Sequence, residues 1–125
     1  MSLDAVQKNP TNFAEVSGNQ IAWRSYSEGQ PLLMLNRFRA AMDDWDPALI
    51  GALAQNFQVI TFDSAGVAES TGEVPETLEG AADVAMGLAQ EIGLDRPNVL
   101  GWSMGGMTAQ ILAAKYGDQV GSVVL

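Results

Sequence analysis

Residues 101–105 carry the clearest chemical signal in this sequence, because they place a serine between two glycines in the pattern Gly-x-Ser-x-Gly. This spacing puts the serine on a sharp turn between a strand and a helix, where its hydroxyl is exposed and its neighbours are small. Such a serine can attack an electrophilic carbonyl once a nearby base removes its proton. The pattern therefore predicts that Ser103 is a catalytic nucleophile.

The residues around Ser103 supply the setting that the pattern requires. Residues 98–100 read as a short buried strand that runs into Gly101, and the good helix formers from Met104 to Lys115 are followed by Gly117 as a stop. The sequence contains no histidine, however, and histidine is the usual base for a serine nucleophile. We therefore expect these 125 residues to be inactive on their own.

Composition narrows the range of partners. Fifteen acidic and six basic side chains give a net charge of −9, which disfavours nucleic acid and anionic membrane surfaces. No apolar run is long enough to span a bilayer, and the N-terminus lacks a signal-peptide pattern. The absence of cysteine excludes disulfides and thiolate metal sites, and we expect no metal and no cofactor. A cytoplasmic protein that acts on a small molecule is the expectation.

The hydrophobic pattern predicts alternating strands and helices. Strands are expected near residues 32, 59, 98 and 122, a helix start at Asp46-Pro47, a helix over 78–92, and a hairpin around Ser17-Gly18-Asn19. Crossovers that contain a helix join parallel strands. The predicted fold class is therefore α/β, with a central, mainly parallel sheet and helices on both faces, and residues 1–125 are expected to form the N-terminal part of a single domain.

Two features concern the edges of this predicted sheet. Asn36, Asp63 and Ser103 each follow a strand, so they should meet at the carboxyl edge, where functional groups of such sheets gather. The last predicted strand, residues 120–125, is apolar to its final residue, and a bare hydrophobic edge is usually covered. We expect the fold to be incomplete on its C-terminal side, with a second polypeptide or another subunit covering this strand.

Two stretches resemble the N-terminal half of the α/β-hydrolase fold family, in its esterase, lipase and haloperoxidase-like group. Residues 99–106, Val-Leu-Gly-Trp-Ser-Met-Gly-Gly, resemble the family's nucleophile elbow. Residues 63–70 resemble its Asp-x-x-Gly-x-Gly-x-Ser loop, with Ala68 in place of the second glycine. After the first parallel strand the family usually has His-Gly, where this chain has Asn36-Arg37.

The resemblance implies a serine hydrolase, most simply one that hydrolyses carboxylic esters through an acyl-enzyme on Ser103. It implies an oxyanion hole formed by the backbone N–H groups of Phe38 and Met104. It also implies that the acid and the histidine of the triad follow later strands, outside this chain. Asp63 is then expected to form a turn. The identity of the substrate, and the choice between hydrolysis, perhydrolysis and acyl transfer, stay open.

Several residues near these positions have two interpretations. Arg37 and Arg39 could meet an anionic substrate, although pairing with the nearby carboxylates is the simpler expectation in so acidic a chain. Those carboxylates are Asp43 and Asp44. Trp102 is expected to pack in the core. Gap filling is the expected use of three methionines that could also line an acyl pocket: Met34, Met104 and Met107.

Two other functions are open at this point. The first is a non-catalytic protein, either truncated or a pseudo-enzyme, that keeps the turn at Ser103 as a scaffold. The second is nucleotide binding, because Gly101-x-Ser103-x-x-Gly106 is a degraded dinucleotide fingerprint. That fingerprint needs an acidic residue at the end of the following strand, and the sequence up to Leu125 does not supply one.

Overall fold

The computed structural model describes residues 8–125, so residues 1–7, the start of the predicted domain, lie outside the described part. Its strands are β1 (Asn12–Val16), β2 (Asn19–Tyr26), β3 (Gln30–Leu35), β4 (Phe57–Phe62), β5 (Asn98–Gly101) and β6 (Val123–Val124). Its α-helices are α1 (Pro47–Leu53), α2 (Leu78–Glu91) and α3 (Met104–Tyr116). Short 3₁₀ helices lie at Met42–Asp44 and Gly117–Gln119.

The described strands form one sheet in the order β1-β2-β4-β3-β5-β6. β3 pairs in parallel with β4 and β5, and β5 pairs in parallel with β6. β2 joins the edge of β4 in the antiparallel sense, as does β1 on β2. Each parallel step carries a helix in its connection, as such crossovers require. The predicted α/β fold with a mainly parallel sheet is confirmed.

The antiparallel edge begins with a two-residue hairpin. Val16 pairs with Asn19, which leaves Ser17 and Gly18 as the loop. Both loop residues have positive φ, 51° and 84°, which is the signature of a type I′ turn, whose twist matches that of the strands. The hairpin expected around these residues is confirmed.

The sheet separates two apolar cores, because successive side chains of a strand point to opposite faces. On one face, buried Leu33 and Val99 pack with Leu88 of α2 and Leu112 of α3. The other face is covered by α1, and the buried residues of its core are Tyr26, Leu32, Met34, Trp45, Ile50, Ala54 and Val59. Helices therefore lie on both faces, as predicted. No helix within residues 8–125 is long and apolar enough to cross a bilayer.

The last strand is shorter than the predicted run over residues 120–125. Val120 is buried against the core of α2 and α3 before the strand begins. Gly121 then donates to the Pro97 carbonyl at 2.9 Å, and Ser122 donates to the Asn98 side chain at 2.8 Å. These hydrogen bonds hold residues 121–122 beside the start of β5, and the paired strand itself consists of Val123 and Val124.

Candidate active site

Ser103 lies at the turn between β5 and α3, two residues beyond the end of the strand. Its φ of 57° and ψ of −123° fall in a region that residues other than glycine rarely occupy. Its side chain is exposed, and its hydroxyl makes no hydrogen bond within residues 8–125. Strained backbone of this kind persists where the surrounding structure holds it, and it clusters at functional sites.

Two glycines allow this turn to form. A Cβ added at Gly101 would lie 2.7 Å from the carbonyl carbon of Gly105, inside the first turn of α3. A Cβ added at Gly105 would lie 2.5 Å from the carbonyl carbon of Leu35, at the end of β3. Side chains at either position would push α3 off the sheet. The two glycines of the pattern therefore let the helix approach the strands closely enough to present Ser103.

The segment after β3 forms a second turn beside the first. The Ala40 N–H donates to the Arg37 carbonyl at 3.2 Å, and Arg39, the third residue of this turn, has a φ of 58°. Phe38, the second residue, does not have positive φ, so the geometry is that of a type II turn. The N–H groups of the two central residues of a β-turn are not used by its closing hydrogen bond, which leaves the Phe38 N–H for another acceptor.

The structure brings the predicted oxyanion-hole residues to one cavity. Phe38 and Met104 both line a small cavity of about 60 Å³ at the carboxyl edge of the sheet. Neither backbone N–H donates a hydrogen bond within the described part of the chain; for Met104 the reason is that it is the first residue of α3. Ser103 does not line this cavity, whereas the next residue, Met104, does.

Side chains on the second turn hold it in shape. The Asn36 carboxamide accepts the Arg37 N–H at 2.8 Å and donates to the Ala41 carbonyl at 3.2 Å, which closes the turn from one side. The Asp44 carboxylate accepts the Ala41 N–H at 2.8 Å. Asn36 therefore performs a bridging role at the position where the family pattern has histidine.

Asp63 ties this segment to the loop after β4. Its carboxylate is only 1% exposed and accepts the Met42 N–H at 2.7 Å and the Glu69 N–H at 3.2 Å. Burial raises the pKa of this carboxyl above its usual value, although the two backbone donors act in the opposite direction. The Ser70 hydroxyl donates to the Asp63 carbonyl at 2.6 Å. Asp63 thus has the structural role that its position in the loop suggested.

Ala68 is a departure from the family pattern in that loop. It occupies the place of the second glycine, and its φ is 45°. Glycine adopts this left-handed conformation without a steric penalty, whereas alanine is strained there. The chain nevertheless keeps the left-handed conformation at this position with alanine in place of glycine.

Sequence reasoning missed Arg24, a buried arginine on β2 that anchors the same segment. Its guanidinium forms an ion pair with Asp43, and its Nε donates to the Thr11 hydroxyl at 3.1 Å. The signal was present in the alternation of β2, because Ala22, Arg24 and Tyr26 share a buried face. A charged side chain on such a face is almost always paired.

Three expectations for the neighbouring residues need correction. Trp102 is 53% exposed instead of packed in the core, because it lies beyond the last residue of β5, on the wall of an open surface, with its ring centroid 6.4 Å from that of Trp45. Met107 is 50% exposed and fills no gap, whereas Met34 is buried in the core. Arg39 pairs with neither predicted carboxylate and lies over the Phe38 ring at 5.3 Å.

Arg37 pairs with a nearby carboxylate, as the simpler interpretation predicted: its Nη2 atom lies 3.9 Å from an Asp44 oxygen. Both side chains are about half exposed, so such a pair contributes little to stability. Within residues 8–125, no three side chains of His, Cys, Asp or Glu lie together in a way that could hold a metal ion.

Comparison with known proteins gives consistent matches. The family model described as alpha/beta hydrolase fold matches residues 30–125. A 2-hydroxy-6-oxo-6-phenylhexa-2,4-dienoate hydrolase of Comamonas testosteroni is 26% identical over 132 aligned positions, covering 98% of this chain and 46% of that protein.

Solved structures show the same architecture. An alpha/beta hydrolase fold protein from Chitinophaga pinensis superposes with a TM-score of 0.89 at 30% identity, covering 93% of this chain and 43% of its own. The enol-lactonase from Burkholderia xenovorans gives a TM-score of 0.81 at 28% identity, covering 90% of this chain and 45% of that one. The chain thus spans less than half the length of each of these relatives.

Proposed function

Because this chain belongs to the alpha/beta hydrolase fold family, we propose that it is the N-terminal part of a serine hydrolase that cleaves carboxylic esters through an acyl-enzyme on Ser103. The observation that carries the proposal is the conformation of Ser103, which is exposed at the strained turn between β5 and α3 with an uncommitted hydroxyl. The N–H groups of Phe38 and Met104, two residues that line one cavity at the carboxyl edge of the sheet, are free to stabilise the negative charge that forms next.

The chemical steps follow from these groups. The Ser103 oxygen attacks the ester carbonyl, and the negative charge that develops on the carbonyl oxygen is stabilised by the N–H groups of Met104 and Phe38. Donors placed for a developing oxyanion contribute about 3 kcal/mol each to lowering the barrier. The Met104 N–H also stands at the N-terminus of α3, whose helix dipole favours negative charge. Expulsion of the alcohol leaves an acyl-enzyme, which water then hydrolyses.

The proton of Ser103 has to go to a base, and the sequence contains no histidine. We therefore propose that the histidine and the acid of the triad come from polypeptide outside these 125 residues. Asp63 is not available as that acid, because both of its carboxylate oxygens already accept backbone N–H groups in a buried position.

An exposed apolar groove supports the proposal that further polypeptide packs on this chain. The groove has a volume of about 410 Å³ and lies beside β6, on the face that α1 covers in part. Its apolar lining consists of Trp45, Leu49, Leu100, Trp102, Val124 and Leu125. Apolar residues gathered at an open sheet edge mark a surface that another element covers.

The choice of an ester as the bond to be cleaved is supported by one relative. The enol-lactonase acts, by its name, on a lactone, which is a cyclic ester. Another relative is named for a dienoate substrate, so the family fold admits other hydrolytic reactions.

A non-catalytic role is the second candidate, favoured by the absence of histidine. Nucleotide binding has less support, because Ser103 stands where the fingerprint has its second glycine. That glycine is the one at which the backbone approaches the pyrophosphate.

Labelling with a fluorophosphonate tests the proposal. We expect mass spectrometry to locate the label on Ser103 when the chain is combined with the polypeptide that supplies the histidine, and turnover of a short chromogenic ester to vanish in Ser103→Ala. Ser27 is the matched control, since it is also exposed and has a φ of 67°. The 125 residues alone should give little turnover, because removal of the base lowers kcat by several orders of magnitude. A complete protein whose Ser103 stays unlabelled would establish the non-catalytic role.

A further inference from the structure

The turn that presents the Phe38 N–H also places positive charge at the rim of the cavity that Met104 lines. Arg37 and Arg39 both line this cavity, and both are exposed. Positive charge is scarce in this chain, which has six basic side chains against fifteen acidic ones. Two arginines beside one proposed oxyanion donor are therefore a local exception to the charge of the molecule.

Arg39 differs from the basic residues that stabilise the fold. Arg24 pairs with Asp43, and Lys115 pairs with Asp83 at 2.9 Å. Within residues 8–125, Arg39 makes no ion pair, and its guanidinium carbon lies 5.3 Å from the centre of the Phe38 ring. Stacking on an aromatic face leaves the edge of the guanidinium free, so its fork of N–H donors can still bind an anion.

The backbone at Arg39 shows which substitution can remove the charge without disturbing the turn. The third residue of a type II turn has positive φ, and glycine is the residue that this position favours. Arg39 adopts a φ of 58° there, although a side chain at this position is strained. Glycine would form this turn with less strain, so the turn itself does not require an arginine here.

Resting on the function proposed above, the geometry points to Arg39, with Arg37 beside it, as the group that binds a carboxylate carried by the substrate. The substrate is then an anionic ester, such as the monoester of a short dicarboxylic acid. Its free carboxylate lies at the guanidinium of Arg39 while its ester carbonyl lies at Ser103. Because Arg39 directly follows Phe38, the proposed donor to the carbonyl oxygen, adjacent residues would bind the two ends of a short substrate.

A carboxylate fits this position better than other anions. A guanidinium binds the two oxygens of a carboxylate through a pair of parallel hydrogen bonds. The chain has a net charge of −9, and Asp44 lies 3.9 Å from Arg37, so a doubly charged phosphate would be repelled more strongly than a single carboxylate.

A binding experiment tests this without requiring turnover. Monomethyl glutarate, which carries one carboxylate and one neutral ester, is titrated into the isotopically labelled chain, and we expect the backbone amide signals of residues 37–40 to shift and saturate. Arg39→Gly removes the charge at a position that glycine favours and should abolish these shifts, whereas Arg39→Lys should retain part of them. Arg96→Gly is the matched control, because Arg96 is also exposed, has a φ of 43° and makes no ion pair in the described residues. Arg96 comes just before β5, at the opposite edge of the sheet.

A kinetic experiment uses the protein complete with its histidine. The ratio of kcat/KM for mono-para-nitrophenyl glutarate to that for its neutral methyl ester is measured in each variant. We expect Arg39→Gly to lower this ratio about tenfold, as loss of one charge-assisted pair does, and added salt to reduce the ratio in the unmodified protein. Arg96→Gly should leave the ratio within about twofold.

The outcomes separate this inference from the proposed function. Ester turnover on Ser103 with equal preference for both esters in all variants would overturn the carboxylate site and keep the hydrolase. Saturable binding of monomethyl glutarate that depends on Arg39, with Ser103 never labelled, would keep the site and overturn the hydrolase. Shifts spread equally over Arg39 and Arg96, or a loss of both esters and of fold stability in Arg39→Gly, would show that Arg39 has no specific role toward a carboxylate.

Discussion

The two turns that frame the candidate site are held in place by opposite means. The turn at Ser103 depends on missing side chains, since Gly101 and Gly105 let α3 touch the strands. The turn at Phe38 depends on side chains that are present, because Asn36, Asp44 and Asp63 bind backbone groups at its start and just after its end. The first turn should therefore fail when an atom is added, and the second when a hydrogen-bond partner is removed.

The largest effect is expected from Gly105→Ala. The new methyl group would meet the backbone at the end of β3, which cannot move aside as a flexible side chain does, so we expect a loss of about 3 kcal/mol in the free energy of unfolding, measured by urea titration.

Gly106→Ala, in the adjacent position, is the control. Its added Cβ would lie 3.5 Å from the nearest atom, an ordinary contact, and alanine is the better helix former, so stability should be equal or slightly higher. Equal loss in both variants would show that the close approach of α3 is not what holds the turn.

A smaller loss, about 2 kcal/mol, is expected from Asp63→Ala, because the N–H groups of Met42 and Glu69 lose their acceptor in a buried setting. Asp63→Asn should fall between this variant and the unmodified protein, since its one oxygen still accepts. The comparison is Asp95→Ala, an exposed carboxylate without a hydrogen bond in the described residues, which should change stability little. An Asp63→Ala protein as stable as Asp95→Ala would contradict the anchoring role.

Asn36→Ala should cost about 1 kcal/mol, since it removes the two hydrogen bonds that bridge the ends of the Phe38 turn. The half-buried site lets water replace part of what is lost. Asn56→Ala, an exposed asparagine with no side-chain hydrogen bond in the described part of the chain, is its control. If both variants unfold at the same urea concentration, the bridge does not stabilise the turn.

The smallest effect concerns pH. The folded state raises the pKa of Asp63, so it holds the proton more tightly than the unfolded chain does, and this group's contribution to stability falls as pH rises from 3.8 through the folded pKa. The stability difference between the unmodified protein and Asp63→Asn should therefore decrease with rising pH in that window. Asp83, whose pKa is lowered by its bonds to Tyr116 and Lys115, gives the opposite trend but cancels in this difference. A difference that stays constant with pH would mean that burial does not perturb Asp63.

The same contrast explains what could be predicted from the sequence. The turn at Ser103 is encoded within five consecutive residues, so its glycines and its place after a strand could be predicted. The anchors of the Phe38 turn join residues far apart in sequence, 19 positions for Arg24 and Asp43 and 21 for Asp63 and Met42. No local pattern reveals such pairs before the sheet brings them together.

The error at Trp102 has a related cause. Hydrophobicity alone favours burial, but whether a large side chain is buried depends on what packs against its position. The turn lifts Trp102 past the end of β5, onto a face that α1 covers only in part. The strand, the turn and the helix around it could be predicted from local sequence, whereas the occupancy of that face could not.

The neighbouring rings of Trp45 and Trp102 also give the molecule a built-in optical reporter. Their centroids lie 6.4 Å apart with the planes inclined at 49°, close enough for their excited states to couple and to contribute a signal in circular dichroism. Indole emission moves to shorter wavelength when water leaves its surroundings. Binding of a polypeptide to this surface should therefore shift the intrinsic fluorescence of the chain to shorter wavelength, which can be measured without an added dye.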